Sequence, residues 1–188
     1  MEVIWQRIKA WLKTNAPEVY EDLQSGADED EIFEAEEYLK IKFPEDFRNS
    51  LKIHNGQKGS EDKFLIDGFE LLSLEKIMEE WDALDELIKS GDFEEIKSTS
   101  KGNAIKDDWW NPKWIPFTHS GSGDYYCLDL APGPEGKTGQ IISIWKDLLD
   151  RDLVANSFKE LLENFARDLE LDKYELMEEY DGLVLKES

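Results

Sequence analysis

A run of aromatic and β-branched residues, interrupted by glycine and proline, fills residues 109–145 of this chain. Runs of this composition that are bounded by turn residues are typical of β-strands joined by reversals. The stretch therefore predicts the core sheet of the fold, although a sheet alone indicates no particular chemistry. The predicted strands are antiparallel and cover roughly 114–118, 125–130 and 140–145.

The residues around the first two predicted strands indicate how the chain reverses. Gly121 and Gly123 can adopt the positive φ of a tight turn, where a residue with a Cβ would be strained. A glycine-rich turn can also bind phosphate when it opens a helix, but a strand follows this one and Asp124 would repel an anion. The pattern therefore predicts a hairpin. Pro116 cannot donate to a ladder, so its strand is expected at a sheet edge or a bulge.

Apolar residues at helical spacing occur on both sides of the predicted sheet. Asp28 followed by Glu31 resembles a capping box, and Asn55-Gly56 is a good C-terminal stop for the helix that precedes it. Ser73 and Ser157 are suited to cap the helices that follow them. The predicted helices begin near Ile4, Asp28, Pro44, Ser73 and Ser157.

The order of these elements predicts an α+β fold, with a central twisted, mostly antiparallel sheet of about six strands flanked by N-terminal and C-terminal helices. Besides the strands above, the sheet includes a hairpin around Asp67-Gly68 and a short strand within 150–155. The length of 188 residues suits one domain. We place a single domain at 1–171 and an acidic C-terminal extension at 172–188, which packs as an extra helix or strand or is loosely held. Residues 90–108 lack a clear pattern and predict a long exposed loop or a ragged helix.

The charge of the chain restricts the partners that it can bind. With 22 basic and 44 acidic residues, the formal net charge is −22 and the pI is about 4.4. A field of that sign repels phosphate backbones and anionic membranes, so direct binding to nucleic acid or lipid is not expected. It would speed encounter with a basic protein partner. An acidic surface kept for solubility is the alternative.

Several features of the sequence predict a cytoplasmic protein. Cys127 is the only cysteine, so an internal disulfide is impossible and a reducing compartment fits. The N-terminus lacks the basic flank and long apolar run of a signal peptide. No apolar stretch approaches the ~18 residues that a membrane span needs. Cys127 lies in an apolar strand, where a free cysteine is usually a small buried hydrophobe.

The sequence does not predict an enzymatic site. His54 and His119 are the only histidines, and the position of His54 at a helix end suits a structural role. The best catalytic candidate is His119 with Asp124 or Asp129, and it supports a small hydrolase as a third hypothesis. P-loop, dinucleotide, nucleophile-elbow, HExxH and CxxC motifs are missing from the sequence. We therefore predict no catalytic residue, no metal site and no cofactor.

Tryptophans and acids at the start of the predicted sheet are the best candidates for a binding site. Exposed aromatic residues ringed by acids suit a hot spot for a basic protein partner. Tyr125 and Tyr126 point to opposite faces of their strand, so one of them is expected to be exposed. Trp109 and Trp110 could equally lie in the core, where Trp114 is expected. The predicted partner-binding residues are Asp107, Asp108, Trp109, Trp110, Asp124 and Tyr125.

An ordered set of short motifs along the chain resembles the SUKH superfamily, which contains a yeast cell-wall-synthesis regulator and many bacterial immunity proteins. The resemblance extends from about Leu23 to Phe165. Each motif is common by itself, and the order of the whole set carries the resemblance. The motifs are Ser25-Gly26-Ala27, Glu31-Ile32, Glu36, Phe43-Pro44-Glu45-Asp46-Phe47, Asn55-Gly56, Trp114-Ile115-Pro116-Phe117, Gly121, Asp124-Tyr125, Cys127-Leu128-Asp129-Leu130, Gly136, Gly139-Gln140 and Ser157-Phe158.

The resemblance implies an α+β fold and a binding role, without one shared catalytic activity. Bacterial members neutralise secreted toxins, often nucleases or nucleic-acid deaminases, whereas the yeast member is a signalling and interaction protein. Our first hypothesis is therefore a non-enzymatic immunity protein that binds a cognate polymorphic toxin and fills its basic active-site groove with acidic side chains. The alternative is an intracellular regulatory or scaffold module that binds endogenous proteins. Residues 90–108 and the tail after Leu171 lie outside the family pattern.

Overall fold

The structure is a computed structural model that describes residues 1–60, 63–91, 96–100, 102–177 and 182–186. The helices in these ranges are α1 (Glu2–Asn15), α2 (Pro17–Asp22), α3 (Glu29–Leu39), α4 (Glu45–Leu51), α5 (Leu74–Lys89) and α6 (Phe158–Glu170). The strands are β1 (Glu70–Leu71), β2 (Thr99–Ser100), β3 (Trp114–Pro116), β4 (Thr118–His119), β5 (Tyr125–Asp129), β6 (Gln140–Ile144), β7 (Asp150–Arg151), β8 (Leu153–Ala155), β9 (Tyr174–Met177) and β10 (Gly182–Leu185). None of these helices has the length and apolarity needed to cross a lipid bilayer.

The central sheet confirms the predicted α+β class. Its strand order is β3-β5-β6-β8, and all three pairings are antiparallel. The first predicted strand is divided at Phe117 into β3 and β4, and β4 pairs with β1. The N–H of Phe117 donates to the carbonyl of Tyr126, so the separate two-stranded β1–β4 sheet lies directly beside the four-stranded central sheet. Pro116 lies on the edge strand β3, as its missing N–H requires.

Local hydrogen bonds start α3 where the sequence predicts. The Asp28 carboxylate accepts from the backbone N–H of Asp30 and of Glu31, and the Glu31 carboxylate accepts from the N–H of Asp28, which completes the capping box. The predicted end of the next helix is wrong. Helix α4 ends at Leu51, and the side chain of Asn55 instead accepts from the first N–H of α5, at Leu74.

The sheet is covered on both faces, because side chains alternate along β5. Tyr126 and Leu128 join a first core with helices α1, α3, α4 and α6, whereas Tyr125 and Cys127 face a second core. Both tyrosines are buried, so the expectation that one of them is exposed is wrong. Burial also raises the pKa of the Cys127 thiol. The second core consists of Leu84, Ile105, Trp110, Trp114, Tyr125, Cys127, Ile142 and Ile144.

The described part of the C-terminal segment packs on the fold as strands. Strands β9 and β10 pair antiparallel, and Leu183 is fully buried in the first core. The hydroxyls of Tyr126 and Tyr174 both donate to Asp67, whose positive φ belongs to the predicted two-residue turn with Gly68. These contacts fit the strand alternative for the segment, and the boundary at residue 171 stays a prediction. Within 90–108 the chain forms β2, parallel to β7, and positions 92–95 and 101 lie outside the described residues.

We expect the half-buried His54 to make the stability of the fold depend on pH. Its ring packs on Trp5 with centroids 4.8 Å apart, and its Nδ1 lies 2.7 Å from the carbonyl oxygen of Gln24. Burial lowers the pKa of His54 below 6.5. The unfolded chain therefore takes up this proton at a higher pH than the folded chain, and the free energy of unfolding falls as the pH drops below about 6.5.

Thermal unfolding measured between about pH 7.5 and pH 5.5 tests this expectation. The Tm of the wild-type chain should fall over this range, and the fall should be smaller in a His54→Asn variant, which keeps an N–H donor but cannot take up the proton. His119→Asn removes the other histidine and serves as the matched control. An equal fall in the wild type and the His54→Asn variant would contradict the expectation.

Candidate functional site

A cavity of about 150 Å³ lies against the second core, between α5 and the outer face of the central sheet. An apolar cavity of this size holds one benzene-sized group. Helix α5 is fixed beside the cavity by the indole N–H of Trp81, which donates to the carbonyl of Pro112 at 3.0 Å. The described residues that line the cavity are Leu84, Leu87, Trp109, Trp110, Gly123, Tyr125, Ile144, Trp145, Lys146 and Arg151.

Arg151 places a buried cation in the wall of this cavity. Only 2% of the residue is exposed. Its Nη1 donates to the carbonyls of Leu148 and Asp150, and its Nη2 donates to the carbonyl of Trp109, at 3.0–3.1 Å. Burial lowers the pKa of the guanidinium. These carbonyl bonds hold the group in place without neutralising its charge.

Two N–H groups in the wall have no hydrogen-bond partner among the described residues. They are the indole Nε1 of Trp110, a residue that is 5% exposed, and the Nε of Arg151. Leaving such a buried donor unsatisfied costs about 1–3 kcal/mol relative to a satisfied one. An unpaired buried donor therefore needs an explanation in terms of the site that contains it.

Tyr125 closes one side of the cavity and is held by neighbouring groups. Its hydroxyl donates to a carboxylate oxygen of Glu80 at 2.8 Å, and its ring stacks on that of His119 with centroids 4.9 Å apart. Burial and the Glu80 carboxylate both raise the pKa of Tyr125. His119 Nδ1 lies 3.4 Å from Glu80, so the imidazole, phenol and carboxylate form one cluster on α5, β4 and β5.

The structure brings together only part of the predicted binding site. Trp109, Trp110 and Tyr125 line the cavity; Trp110 is in the core and Trp109 is half-buried, which resolves the alternative left open for the two tryptophans. Asp124 lies at the edge, where its carboxylate accepts from the N–H of Lys146 at 2.8 Å. The remaining two residues, Asp107 and Asp108, line a separate depression with Lys97 and Lys106. Partner binding by these six residues stays a prediction.

Sequence reasoning missed the polar anchor of the cavity. Arg151 stands between Asp150 and Asp152 in a stretch with little apolar pattern, and a basic residue in such a place reads as a solvated charge. The only sequence feature that indicated burial of Arg151 was its position inside the predicted strand at 150–155, where a charged side chain can point inwards. Its side chain is held by the carbonyl of Trp109, which lies 42 residues away in the chain, and no local pattern predicts that contact.

The groups of the hydrolase hypothesis are engaged elsewhere. His119 contacts Glu80 and Tyr125, whereas the fully buried Asp129 accepts from Trp114 Nε1 and Gln140 Nε2. Asp129 thus serves to join β3, β5 and β6. Among the residues that the structure describes, no group of three or more His, Cys, Asp or Glu side chains could hold a metal ion.

Comparison with known proteins identifies a family and several relatives. The model of the SMI1 / KNR4 family (SUKH-1) matches residues 26–164. Over 97% of its length, the chain is 29% identical to the glucan synthesis regulatory protein of Neurospora crassa. Over 96% of its length, it is 31% identical to the cell wall biosynthesis/cell cycle regulator smi1 of Schizosaccharomyces pombe. Over 94% of its length, it is 26% identical to the cell wall assembly regulator SMI1 of Saccharomyces cerevisiae. The matches cover 41%, 38% and 42% of these relatives, so the chain spans about two fifths of their length.

Proposed function

Because the chain belongs to the SMI1 / KNR4 family (SUKH-1), we propose that it is a regulatory module that acts by binding other proteins and carries out no chemistry of its own. The sequence resemblance to this superfamily is confirmed. The three relatives named above are described as regulators of glucan synthesis, of cell-wall biosynthesis and of cell-wall assembly. These names favour the regulatory alternative over toxin neutralisation, and a cognate toxin has no support among them.

The observation that carries the proposal is the aromatic cavity beside α5. Tryptophan, tyrosine and arginine are the residues most enriched at binding hot spots, and all three line its wall. The surface at its rim is apolar. Leu87 in the wall is 44% exposed. Leu148, whose carbonyl accepts from Arg151, is 55% exposed, and the next residue, Leu149, is 46% exposed. An apolar surface of this kind is typical of the central part of a protein interface.

The charge of the chain supports a basic surface on the partner around this centre. The formal net charge is −22, and exposed acids such as Glu79 and Glu86 lie on α5 beside the cavity. Charges at the rim of an interface mainly change the association rate and its salt dependence. Binding to the partner should therefore weaken as salt rises, because exposed charges are screened.

Affinity capture from a lysate of the source cells, with matched variants, tests the proposal. Trp109→Ala truncates the half-buried aromatic in the cavity wall and should reduce capture of a specific protein at least tenfold, a typical loss for a hot-spot tryptophan. Phe33→Ala removes an aromatic that is 54% exposed on α3 and should leave capture unchanged. Thermal unfolding of each variant checks that the fold is intact.

A second substitution tests the same surface in case Trp109→Ala destabilises the fold. Leu87→Ser changes an exposed residue of the cavity wall and should weaken the same interaction with little effect on Tm. If the captured proteins are identical for the wild type, both cavity variants and Phe33→Ala, the cavity is not the binding site and the proposal in this form is rejected.

A further inference from the structure

The aromatic rings in the wall of the cavity are held by contacts within the chain. The ring of Tyr125 stacks on that of His119 with an angle of 7° between their planes. The ring of Trp110 packs edge-on against that of Trp114 with centroids 6.3 Å apart. Because the chain itself fixes these rings, a group that enters the cavity does not have to order them, and this lowers the free-energy cost of binding.

The composition of the wall favours an uncharged group in the cavity. A lysine or arginine side chain would meet Arg151 and Lys146, two cations of the wall, and like charges repel. A carboxylate would lose its water without gaining the two unpaired N–H groups, because Trp110 Nε1 and Arg151 Nε are closed off from solvent and from any ligand. The volume of about 150 Å³ suits one apolar group of benzene or leucine size.

The surface next to the wall carries the opposite preference, because acids lie beside it. Glu80 and Asp124 each accept a hydrogen bond from a wall residue, at 2.8 Å in both cases. Glu86 and Asp147 are exposed and directly adjoin wall residues in the chain. These four residues, which we call the rim acids, favour positive charge on whatever covers the cavity.

We propose that the cavity receives one uncharged side chain of phenylalanine or leucine size from a basic segment of a partner protein, and that lysines or arginines on both sides of this anchor pair with the rim acids. The inference rests on the proposed function, because it names the chemistry that the partner brings to the same site. A second copy of this chain would carry the same net charge of −22 and would be repelled, so the occupant is a different protein.

Titration of the full chain with three short peptides tests the inference. The first probe is acetyl-Lys-Lys-Phe-Lys-Lys amide. The second has alanine in place of phenylalanine and so loses the anchor, and the third has glutamine in place of every lysine and so loses the charge. Binding is followed through the indole N–H signals of the 15N-labelled protein, with those of Trp109 and Trp110 identified by their disappearance in Trp109→Phe and Trp110→Phe.

We expect the first peptide to shift both indole signals and to bind with a Kd on the order of 0.1 mM at low salt. The alanine and glutamine peptides should each bind at least about tenfold more weakly, because each lacks one of the two contributions. Added salt should weaken the lysine peptide and leave the glutamine peptide unchanged, since salt screens only the charged contacts.

Two charge reversals of equal size locate the contribution of the rim acids. Asp147→Lys should weaken the lysine peptide about threefold or more and leave the glutamine peptide unchanged. Glu163→Lys is the matched control, because it changes the net charge equally at an exposed position of α6, a helix that packs in the first core and not beside the cavity. It should change the affinity for the lysine peptide by less than about twofold.

The outcomes separate this inference from the proposed function. Equal binding of the phenylalanine and alanine peptides would overturn the apolar anchor, and equal binding of the lysine and glutamine peptides, or equal effects of Asp147→Lys and Glu163→Lys, would overturn the basic segment. If no peptide shifts the two indole signals while capture still depends on Trp109, this inference fails and the proposed function stands. If the peptides bind as expected while capture depends on neither Trp109 nor Leu87, the preference of the cavity is confirmed and the proposed function fails.

Discussion

Replacing Gly56 with alanine is expected to lower the free energy of unfolding by at least about 3 kcal/mol. The residue adopts φ +68°, and a Cβ built on it would lie 2.4 Å from the backbone carbonyl carbon of Leu72 and 2.4 Å from the backbone nitrogen of Ser73. Those atoms belong to the segment that opens α5 and cannot move aside as the end of a flexible side chain could. The variant would therefore strain the start of α5, the helix that forms one wall of the cavity.

Gly91→Ala is the matched control for this prediction. Gly91 has φ +83°, but its added Cβ would meet no atom of the described residues within 4 Å. The free energy of unfolding of Gly91→Ala should fall by no more than about 1 kcal/mol, because the reduced entropy of the unfolded chain offsets part of the strain of the left-handed backbone. Urea unfolding of both variants measures the difference. Equal losses at the two positions would show that φ alone, and not close packing at Gly56, determines the cost.

Asp129→Ala is expected to destabilise the fold by about 3–5 kcal/mol. The carboxylate is fully buried, and its Oδ1 accepts from Trp114 Nε1 and the N–H of Ala131 at 3.1 and 2.9 Å. Its Oδ2 accepts from Gln140 Nε2 at 2.9 Å. Alanine would leave these donors buried without an acceptor, in the middle of the sheet. The exposed Asp152→Ala, on the β7–β8 connection, should change stability by less than about 0.5 kcal/mol.

An Asp129→Asn variant shows how much of the effect of Asp129→Ala comes from the different hydrogen bonds that the carboxylate accepts. Asn keeps an acceptor for Trp114 and Ala131 but presents an amide to Gln140, so the loss should fall between those of Asp129→Ala and Asp152→Ala. Urea titrations at one pH measure all three. A result in which Asp129→Ala and Asp152→Ala have the same stability would contradict the structural role assigned to Asp129. It would also reopen the question of whether this carboxylate serves a chemical purpose.

Local chemistry was sufficient to predict much of the fold. The capping box at Asp28, the two-residue turn at Asp67-Gly68 and the edge position of Pro116 each depend on residues close in sequence, and each is confirmed. The end of α4 was misplaced for the same reason. Asn55-Gly56 has the local chemistry of a helix stop. In the fold, however, the side chain of Asn55 and the close packing of Gly56 both serve the start of α5.

The candidate site could be predicted only in part, because it combines elements that are distant in the chain. The aromatic composition of residues 109–125 indicated Trp109, Trp110 and Tyr125, and these residues do line one cavity. Asp107 and Asp108 precede the tryptophans directly but line another depression, with Lys97 and Lys106. Adjacency in sequence was therefore a poor guide to adjacency on the surface.

The apolar periodicities and turn residues of this chain are enough to establish an α+β domain, and its ordered motifs are enough to identify its family, because both depend on spacing along the backbone. The burial of both faces of β5 and the placement of Arg151 in an aromatic wall depend instead on which distant segments pack together. A single charged residue between two aspartates has no pattern of its own. Only the tertiary structure makes it the unpaired cation of a cavity, since desolvation arises from atoms that other elements bring near.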